Sequence, residues 1–251
     1  MTLNEFFSLV PKAAVAFSGG TDSAFLLWAA RECGCDVRAY YVKTAFQPQF
    51  ELEDARRLAS ELEVPMTVVE ADILAVPDAA ANGPQRCYHC KTALFSQLRQ
   101  AARDDGYTVL LDGTNASDDA GDRPGMRALR ELEVRSPLRE CGLTKDDVRR
   151  LSREAGLFTW EKPAYACLAT RIPTGTRITA GDLARVERAE DALSRLGFAD
   201  FRVRLREDGA RIQVTAAQMA LARAKWEEIL EQLKPDFTDV LLDQTPRQAS
   251  R

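Results

Sequence analysis

The sequence Ser-Gly-Gly-Thr-Asp-Ser at residues 18–23 constrains the fold of this chain more than any other segment. Residues 13–17 before it are apolar and predict a buried strand, whereas residues 24–30 after it are rich in alanine and leucine and predict a helix. Glycines let a backbone approach a ligand closely, and the first N–H groups of a helix have no partners within it. A strand, a glycine-rich turn and a helix start therefore predict an anion-binding site.

The turn is not a Walker phosphate loop, because that loop has four residues between its glycines and ends in Lys-Ser or Lys-Thr. An ordinary Ser/Gly turn with an aspartate helix cap is the structural alternative. We favour a nucleotide site, since open α/β sheets bind ligands at the carboxyl ends of their strands. The SGGxDS pattern resembles the PP-loop of ATP pyrophosphatases, which cleave ATP between its α and β phosphates. The candidate nucleotide-binding residues of this loop are Ser18, Gly19, Gly20, Asp22 and Ser23.

Strands and helices alternate over the first two-thirds of the chain. Apolar runs predict strands at 37–42, 66–70 and 108–112, with a further candidate at 133–135. Apolar residues at helical spacing predict helices at 49–61, 93–103 and 144–155. This alternation predicts an α/β fold with a parallel twisted sheet that helices cover on both faces. The resemblance to PP-loop proteins implies the adenine nucleotide alpha hydrolase-like form of that sheet.

The last third of the chain predicts a smaller α+β domain after a loop-rich linker, which Pro163, Pro173 and Gly175 punctuate. The pattern predicts helices at 180–196 and 216–233, and strands at 201–205, 210–214 and 238–242. The polar residues 244–251 are expected to fray. We expect a nucleotide domain at 1–160, a linker at 161–178 and the small domain at 179–251.

Composition restricts the class of protein. Hydrophobic residues make up 45% of the chain and charged residues 29%, as in ordinary globular proteins. No apolar run approaches the roughly 20 residues of a membrane span, and the N-terminus lacks the basic and apolar regions of a signal peptide. We therefore expect a cytoplasmic protein with no membrane partner. The formal net charge of −4 argues against a large nucleic-acid-binding surface.

A second candidate nucleotide-binding segment follows the strand predicted at 108–112. Gly113, Thr114 and Asn115 come directly after it, and several aspartates follow within 118–122. A strand that ends in Gly-Thr-Asn before carboxylates is well placed to contact a nucleotide and its Mg²⁺. A polar loop with Asx turns is the alternative. The presence of the first loop in the same predicted sheet favours the nucleotide interpretation.

Cysteines in a cytoplasmic chain are expected to be reactive groups or metal ligands rather than disulfides. Cys87 and Cys90 form a C-x-x-C pair, a spacing at which two thiolates reach one metal ion, although this is only half of a tetrahedral site. Cys167 stands alone in an apolar stretch, as core cysteines do, but Lys162 and Arg171 are nearby cations that favour a thiolate. We interpret three further cysteines as structural: Cys33, Cys35 and Cys141.

Five ordered motifs resemble the LarE-type ATP-dependent sacrificial sulfur transferases of the PP-loop superfamily. They cover most of the chain and are SGGTDS, RCYHCK, LDGTN with the following DD and RPG, SPLxExGLTK, and WEKPAYACLATRIPTG. The resemblance implies ATP and Mg²⁺, and adenylation of a carboxylate of pyridinium-3,5-biscarboxylic acid mononucleotide during synthesis of the nickel-pincer nucleotide cofactor. It also implies that Cys167 displaces AMP to give a thioester. Cleavage of the cysteine carbon–sulfur bond then leaves a thiocarboxylate on the nucleotide and dehydroalanine in the protein.

Some members of that family resemble a cluster-dependent type instead. In those proteins three cysteines hold a [4Fe–4S] cluster, and one iron carries an extra sulfide. The corresponding set here is Cys87, Cys90 and Cys167. A sacrificial enzyme does not need the C-x-x-C pair, so its presence favours the cluster version. A pair that only stiffens its loop is the structural alternative.

Arginines alternate with apolar residues at Arg202, Arg204 and Arg206, and period two places all three on one face of a strand. A solvated strand face is the simplest interpretation of this pattern. The family resemblance implies a substrate-phosphate site at Arg202 and Arg204. Arg171 and Glu190 complete the set of expected substrate-binding residues.

Other functions are compatible with part of this pattern. Enzymes of tRNA thiolation also pair cysteines with ATP, ammonia-dependent amide synthetases have no need of Cys167, and a non-catalytic nucleotide-binding module would not turn ATP over. Two features depart from the family pattern: Gln213 stands where an acid is usual, and the C-terminal tail lacks Gly-Tyr-Arg. Family habit further implies a homo-oligomer that acts on a small-molecule nucleotide and binds no nucleic acid.

Overall fold

The computed structural model describes residues 1–118, 123–207 and 209–249. The chain forms two compact units, of which the first is Met1–Ala79 with Gln85–Lys162 and the second is Ala80–Pro84 with Pro163–Arg251. Part of the acidic stretch at 118–122, including Asp119 and Asp122, lies outside the described residues, as do the last two residues of the polar tail. None of the described helices is long and apolar enough to span a membrane.

The first unit is built on a four-stranded parallel sheet with the strand order β3-β2-β1-β4. Its strands are β1 Lys12–Ala16, β2 Asp36–Lys43, β3 Met66–Glu70 and β4 Leu110–Leu111. The candidate strand at 133–135 is reduced to a single parallel bridge between Leu111 and Arg135. The predicted parallel α/β sheet is therefore confirmed, with a shorter β4 than the sequence suggests.

Helices cover both faces of this sheet, because the side chains of β1 alternate between two apolar clusters. Ala13 and Val15 pack in a cluster that includes Leu26, whereas Ala14 packs on the opposite face in a cluster that includes Leu98. The helices of the first unit are α1 Leu3–Leu9, α2 Thr21–Glu32, α3 Gln49–Glu61, α4 Pro77–Ala80, α5 Arg86–Asp104, α6 Pro124–Glu131, α7 Pro137–Glu140 and α8 Lys145–Glu154. Helix α4 ends in the short segment that belongs to the second unit.

Two helices of the first unit differ from the sequence-based expectation. The sequence does not predict helix α1, although Thr2 and Glu5 form a capping box at its start. Its residues Phe6 and Phe7 are buried. Helix α5 was expected only from residue 93, but it begins at Arg86. The early start places the whole C-x-x-C pair on a helix instead of in the loop that the sequence suggested.

The second unit contains a three-stranded mixed sheet with the order β5-β6-β7, in which β5 and β6 are antiparallel and β6 and β7 are parallel. The predicted helix over 216–233 is interrupted where Lys225 leaves the helical conformation, with φ −99° and ψ 18°. The elements of this unit are α9 Ala180–Arg195, β5 Arg202–Arg206, β6 Gly209–Gln213, α10 Met219–Ala224, α11 Trp226–Leu233 and β7 Val240–Leu242. Short 3-10 helices complete both units at Ile73–Ala75, Phe158–Glu161, Leu168–Arg171 and Ala216–Gln218.

The short segment at 80–84 belongs to the second unit because Asn82 is fully buried there. Its amide nitrogen donates to the carbonyl oxygens of Pro173, at 2.8 Å, and Thr176, at 3.1 Å. The backbone adds two further bonds, from Gly175 N to Asn82 O and from Ile178 N to Ala80 O. These contacts fix the loop-rich stretch before α9, which the sequence alone describes only as a linker.

A close backbone approach joins β4 to α2. A Cβ atom placed on Gly113 would lie 2.8 Å from Ser23 N and 3.1 Å from the backbone carbon of Asp22. No side chain fits at that distance unless the backbone moves. Glycine at 113 is therefore required for the end of β4 to lie against the first turn of α2.

Replacement of Gly113 by alanine is expected to destabilise the protein by about 1–3 kcal/mol, because the added methyl group overpacks against backbone atoms. Urea unfolding measures this change. The control is Gly83→Ala, where a Cβ meets nothing within 4 Å, and its expected effect is within about 0.5 kcal/mol. Equal stability of the two variants would contradict the packing described here.

Candidate active site

The loop between β1 and α2 is shaped to receive an anion. Gly19 has φ +72°, and a Cβ atom there would lie 3.1 Å from Glu51 O and 3.2 Å from the Cβ of Ala55. Gly20 is the N-cap of α2 and has no side chain to bond the N–H groups of the first turn. These N–H groups and the positive end of the helix dipole are the elements of a phosphate-binding site.

Hydroxyl groups hold this loop in shape. Ser23 Oγ donates to Gly20 O at 3.1 Å and accepts from Ser18 N at 3.3 Å. The two serine Oγ atoms lie 3.1 Å apart, within hydrogen-bond distance. Thr21 Oγ1 donates to Thr159 O at 2.8 Å, which ties the start of α2 to the 3-10 helix at Phe158–Glu161. The loop is thus preorganised by bonds of its own residues.

The segment after β4 meets this loop. Asn115 is buried, and its Nδ2 atom lies 3.4 Å from Asp22 Oδ1. Asp112 is also buried and accepts from Thr114 Oγ1 at 2.5 Å and from Ser136 Oγ at 2.6 Å. With the close approach of Gly113, these bonds bring the two sequence-predicted nucleotide segments together at the carboxyl edge of the parallel sheet.

Two lysines lie against this pair of segments. Lys145 Nζ is 2.7 Å from Asp22 Oδ2. Lys162 Nζ is 2.6 Å from Asp54 Oδ2 and 3.5 Å from Gly19 O. Lys145 is not among the sequence-predicted site residues, and Lys162 is predicted only as a cation near Cys167. The GLTK motif was the available signal for Lys145, but the contact with Asp22 spans 123 positions of sequence.

The C-x-x-C pair lies at the start of α5 in the first unit. Cys87 is exposed and Cys90 is half-buried. Arg86 Nη2 lies 3.8 Å from Cys87 Sγ, and His89 Nδ1 lies 3.6 Å from Asp78 Oδ2. Among the described residues, no group of three or more His, Cys, Asp or Glu side chains is arranged to hold a metal ion.

In the second unit the expected substrate residues Arg171 and Glu190 form a buried ion pair. Arg171 Nε donates to Glu190 Oε1 at 2.6 Å and Arg171 Nη2 donates to Glu190 Oε2 at 3.0 Å. Only 1% and 5% of their side-chain surfaces are exposed. Burial by itself lowers the pKa of the Arg171 guanidinium, but the hydrogen bonds and charge of Glu190 outweigh it, so that pKa is raised. The pair is bidentate, and the Arg171 guanidinium is held in its charged form.

This ion pair anchors the segment that carries Cys167. Glu190 also accepts from Tyr165 OH at 2.6 Å and from Val203 N at 2.9 Å. Arg171 Nη1 donates to Ala166 O at 2.9 Å. Tyr165 and Ala166, the two residues directly before Cys167, are therefore bonded to one buried pair, and Cys167 itself is half-buried at the N-cap of the 3-10 helix Leu168–Arg171.

Arg202 and Arg204 differ in exposure although they stand on one strand. Arg202 is buried, and its guanidinium donates to Phe201 O at 2.6 Å and Ala164 O at 2.7 Å. Burial and the charges of Arg171 and Arg247 lower the pKa of Arg202 to about 10. The same causes lower the pKa of Arg204. Burial is the largest cause in both cases, and the neighbouring arginine charges add to it, so an anionic ligand would stabilise the charged form of either guanidinium.

Arg204 is exposed and bonds neutral groups. Its Nε donates to Gln213 Oε1 at 2.6 Å, and its Nη1 donates to Thr170 O at 2.8 Å. Gln213 Nε2 in turn donates to Asp243 Oδ2 at 2.9 Å. The amide at 213 therefore links Arg204 to Asp243, where an acid at the same position would pair with Arg204 directly.

Comparison with known proteins assigns the family. A family model described as "Queuosine biosynthesis protein QueC" matches residues 12–82. An uncharacterized protein of Synechocystis is 38% identical over 86% of this chain and 81% of its own length. The pyridinium-3,5-bisthiocarboxylic acid mononucleotide synthase of Lactiplantibacillus plantarum is 36% identical over 83% of this chain and 76% of its own length. The chain belongs to this synthase family.

More distant relatives share only part of the chain. A tRNA-specific 2-thiouridylase of Clostridium botulinum is 25% identical over 59% of this chain and 51% of its own length. The LarE-type resemblance inferred from the five motifs is thus confirmed, and the chain is an ATP-using PP-loop enzyme.

The residues present fit ATP with Mg²⁺. The start of α2 after loop 18–20 has no side-chain cap on its first N–H groups, and Asp22 offers a carboxylate beside them. Mg²⁺ is usually held by one or two carboxylates together with substrate phosphates, so a complete protein ligand set is not required. A [4Fe–4S] cluster needs at least three thiolates. The three candidate thiolates are Cys87 and Cys90 in the first unit and Cys167 in the second, and a [4Fe–4S] cluster on them stays a sequence-based prediction.

Loss of the Glu190 carboxylate is expected to destabilise the second unit by about 3–5 kcal/mol, because it leaves the Arg171 guanidinium buried without a counter-charge. Urea unfolding of Glu190→Ala, with hydrogen exchange of peptides from 163–207, measures the loss. The matched control on α9 is Arg188→Ala, which breaks a more exposed pair with Asp236. Its expected cost is at most about 1 kcal/mol. A similar cost for both variants would refute an anchoring role of the buried pair.

Proposed function

We propose that this chain is an ATP-dependent sulfur transferase that converts a carboxylate of pyridinium-3,5-biscarboxylic acid mononucleotide into a thiocarboxylate. Two such conversions, one at each carboxylate, give the bisthiocarboxylic acid mononucleotide in the name of the Lactiplantibacillus relative. The main support for the proposal is structural: loop 18–23 contacts segment 113–115 at one edge of the parallel sheet. The chain that contains this site is 36% identical to that synthase. The nickel-pincer nucleotide cofactor is the proposed destination of the product.

The first step is activation of the substrate carboxylate. A carboxylate oxygen attacks the α-phosphorus of ATP, the bond to the bridging oxygen of the β-phosphate breaks, and pyrophosphate leaves. The helix-start N–H groups at 18–23 stabilise the negative charge on the phosphates. Asp22 is the residue proposed to hold Mg²⁺, which when bound would neutralise part of that charge. The acyl adenylate that forms carries AMP as a good leaving group.

The second step transfers sulfur. The Cys167 thiolate attacks the acyl carbon and AMP leaves, which gives a thioester. Removal of the proton on the Cα of Cys167 then breaks its Cβ–S bond, and the electron pair of that bond passes to sulfur. The nucleotide gains a thiocarboxylate and residue 167 becomes dehydroalanine. Arg171 and Glu190 act as positioning residues in this step, because they hold Tyr165 and Ala166 beside the cysteine.

Arg202 and Arg204 are the proposed site for the substrate phosphate. The exposed guanidinium of Arg204 bonds only neutral groups within the described contacts, so its charge is available to a phosphate. Arg202 is buried on the same strand and adds a second positive charge. The likeness to tRNA thiolation enzymes covers less of the chain at lower identity, which makes that alternative weaker. A cytoplasmic location and a homo-oligomeric state remain sequence-based predictions.

Replacement of Cys167 by alanine is expected to abolish thiolation while carboxylate-dependent exchange of pyrophosphate into ATP continues, because adenylation precedes the use of the thiol. Product analysis by mass spectrometry and the isotope exchange assay measure the two steps separately. The control is Cys141→Ser in the first unit, which is expected to thiolate as the wild type does. Full thiolation by Cys167→Ala would disprove the role of this thiol.

Removal of the Arg204 guanidinium is expected to raise the KM for the mononucleotide by about 10- to 100-fold, since a hydrogen bond between charged groups is lost. The KM for ATP is expected to stay unchanged. Steady-state kinetics of Arg204→Ala measure both KM values. The control is Arg206→Ala, since Arg206 lies on the same strand and is also exposed. An unchanged substrate KM in Arg204→Ala would count against the phosphate site.

A further inference from the structure

Lys145 occupies a position that helix stability does not explain. It is the first residue of α8, after the N-cap Thr144, whose side chain forms a capping box with Asp147. A cation at a helix N-terminus opposes the helix dipole and is mildly unfavourable there. The capping box already stabilises this end of the helix. A lysine at this position is therefore better explained by what its ammonium group contacts.

The ammonium group of Lys145 contacts the proposed nucleotide loop. Its Nζ atom is 2.7 Å from Asp22 Oδ2, and the backbone N of Lys145 donates to Ser117 Oγ at 2.9 Å. The second bond fixes the start of α8 beside the segment after β4. Side-chain exposures of 20% for Lys145 and 26% for Asp22 leave both groups accessible to a ligand.

We propose that Lys145 exchanges partners when the nucleotide binds, an inference that rests on the proposed function. Without nucleotide, its ammonium neutralises Asp22. When Mg·ATP binds, the metal ion takes the Asp22 carboxylate and the Lys145 ammonium moves to a phosphate oxygen. Lys145 is thus both a temporary counter-ion for Asp22 and a phosphate-binding residue.

Charge and geometry favour the exchange over a static ion pair. An ammonium and a divalent cation repel each other, so both binding to one carboxylate is unfavourable. The ammonium has three donors on a flexible four-carbon stem, which allows it to reach a new acceptor while its backbone stays fixed. A phosphate on the N–H groups of loop 18–23 would be close to Asp22, because Asp22 lies in the first turn of α2. The Lys145 ammonium thus exchanges the Asp22 carboxylate for a phosphate oxygen close to it.

Lys162 is a less suitable candidate for the same role. Its carboxylate partner, Asp54, lies on α3 and not in the loop, and its ammonium also faces Gly19 O. Binding of a metal ion at Asp22 would leave the Lys162–Asp54 pair intact. The exchange is therefore specific to the pair of Lys145 and Asp22.

The test combines two binding measurements on the full-length protein. Paramagnetic resonance measures Mn²⁺ affinity without nucleotide, and calorimetry measures binding of ATP and of pyrophosphate in the presence of Mg²⁺. The variants are Lys145→Gln and Lys145→Arg, with Asp22→Asn to show that Mn²⁺ reports on this carboxylate. The control is Lys12→Gln, which breaks the Lys12–Asp36 pair at the opposite edge of the sheet. Thermal unfolding of each variant shows that it is folded.

Lys145→Gln is expected to bind Mn²⁺ about fivefold more tightly, because the competing ammonium is gone. It is expected to bind ATP and pyrophosphate about 10- to 100-fold more weakly. Lys145→Arg keeps the charge and is expected to bind Mn²⁺ as the wild type does and to recover most of the ATP affinity. Lys12→Gln is expected to change neither affinity.

Unchanged or weaker Mn²⁺ binding in folded Lys145→Gln would overturn the exchange, since a purely structural ion pair predicts no gain. Unchanged ATP affinity in that variant would overturn the phosphate-binding role. Both results differ from what failure of the proposed function would give. If the proposed function is wrong, the wild-type protein itself binds neither ATP nor pyrophosphate, and the exchange of partners is disproved as well.

Discussion

The close packing of the Gly113 backbone against the first turn of α2 is the contact on which the first unit's site depends. It brings the end of β4 against the loop that follows β1, so that Asn115 reaches Asp22. Because β1 and β4 are parallel neighbours, both loops emerge at the same edge of the sheet. The apolar alternation of β1 and the helices on both faces hold these two strands in place. The anion site is thus a consequence of sheet order and of one residue without a side chain.

Charge in the two units is organised in different ways. In the first unit, ammonium groups pair with partly exposed carboxylates around the loop, and such pairs exchange at little cost. In the second unit, Arg171 and Glu190 are buried and bidentate, and each also bonds residues near Cys167. A buried pair of this kind resists separation and suits the fixing of a loop. The first arrangement leaves charged groups accessible to a ligand, and the second holds the segment that carries Cys167 in a defined conformation.

The sequence predicted the parallel α/β sheet and the family because strand alternation and the SGGTDS turn are local patterns. It did not predict α1, although Thr2 and Glu5 are a capping signal, because the helix has only seven residues and gives little periodicity. The start of α5 was missed because Cys87 and its neighbours lack a regular apolar face. The pairing of Lys145 with Asp22 and of Arg171 with Glu190 depends on tertiary structure, which a single sequence does not contain. The family resemblance predicts Arg171 and Glu190 as substrate-binding residues, and the structure places them in the interior of the second unit, where they bond each other.

In the proposed reaction the sulfur of Cys167 is itself transferred to the nucleotide. The most direct test is the intact mass of anaerobically purified protein before and after reaction with ATP, Mg²⁺ and the biscarboxylate nucleotide, with bound iron counted. The expected result is the loss of one H₂S from the peptide that contains residue 167 for each thiocarboxylate formed. Thiolated product with an unchanged protein mass and bound iron would contradict it and would assign the sulfur to a cluster.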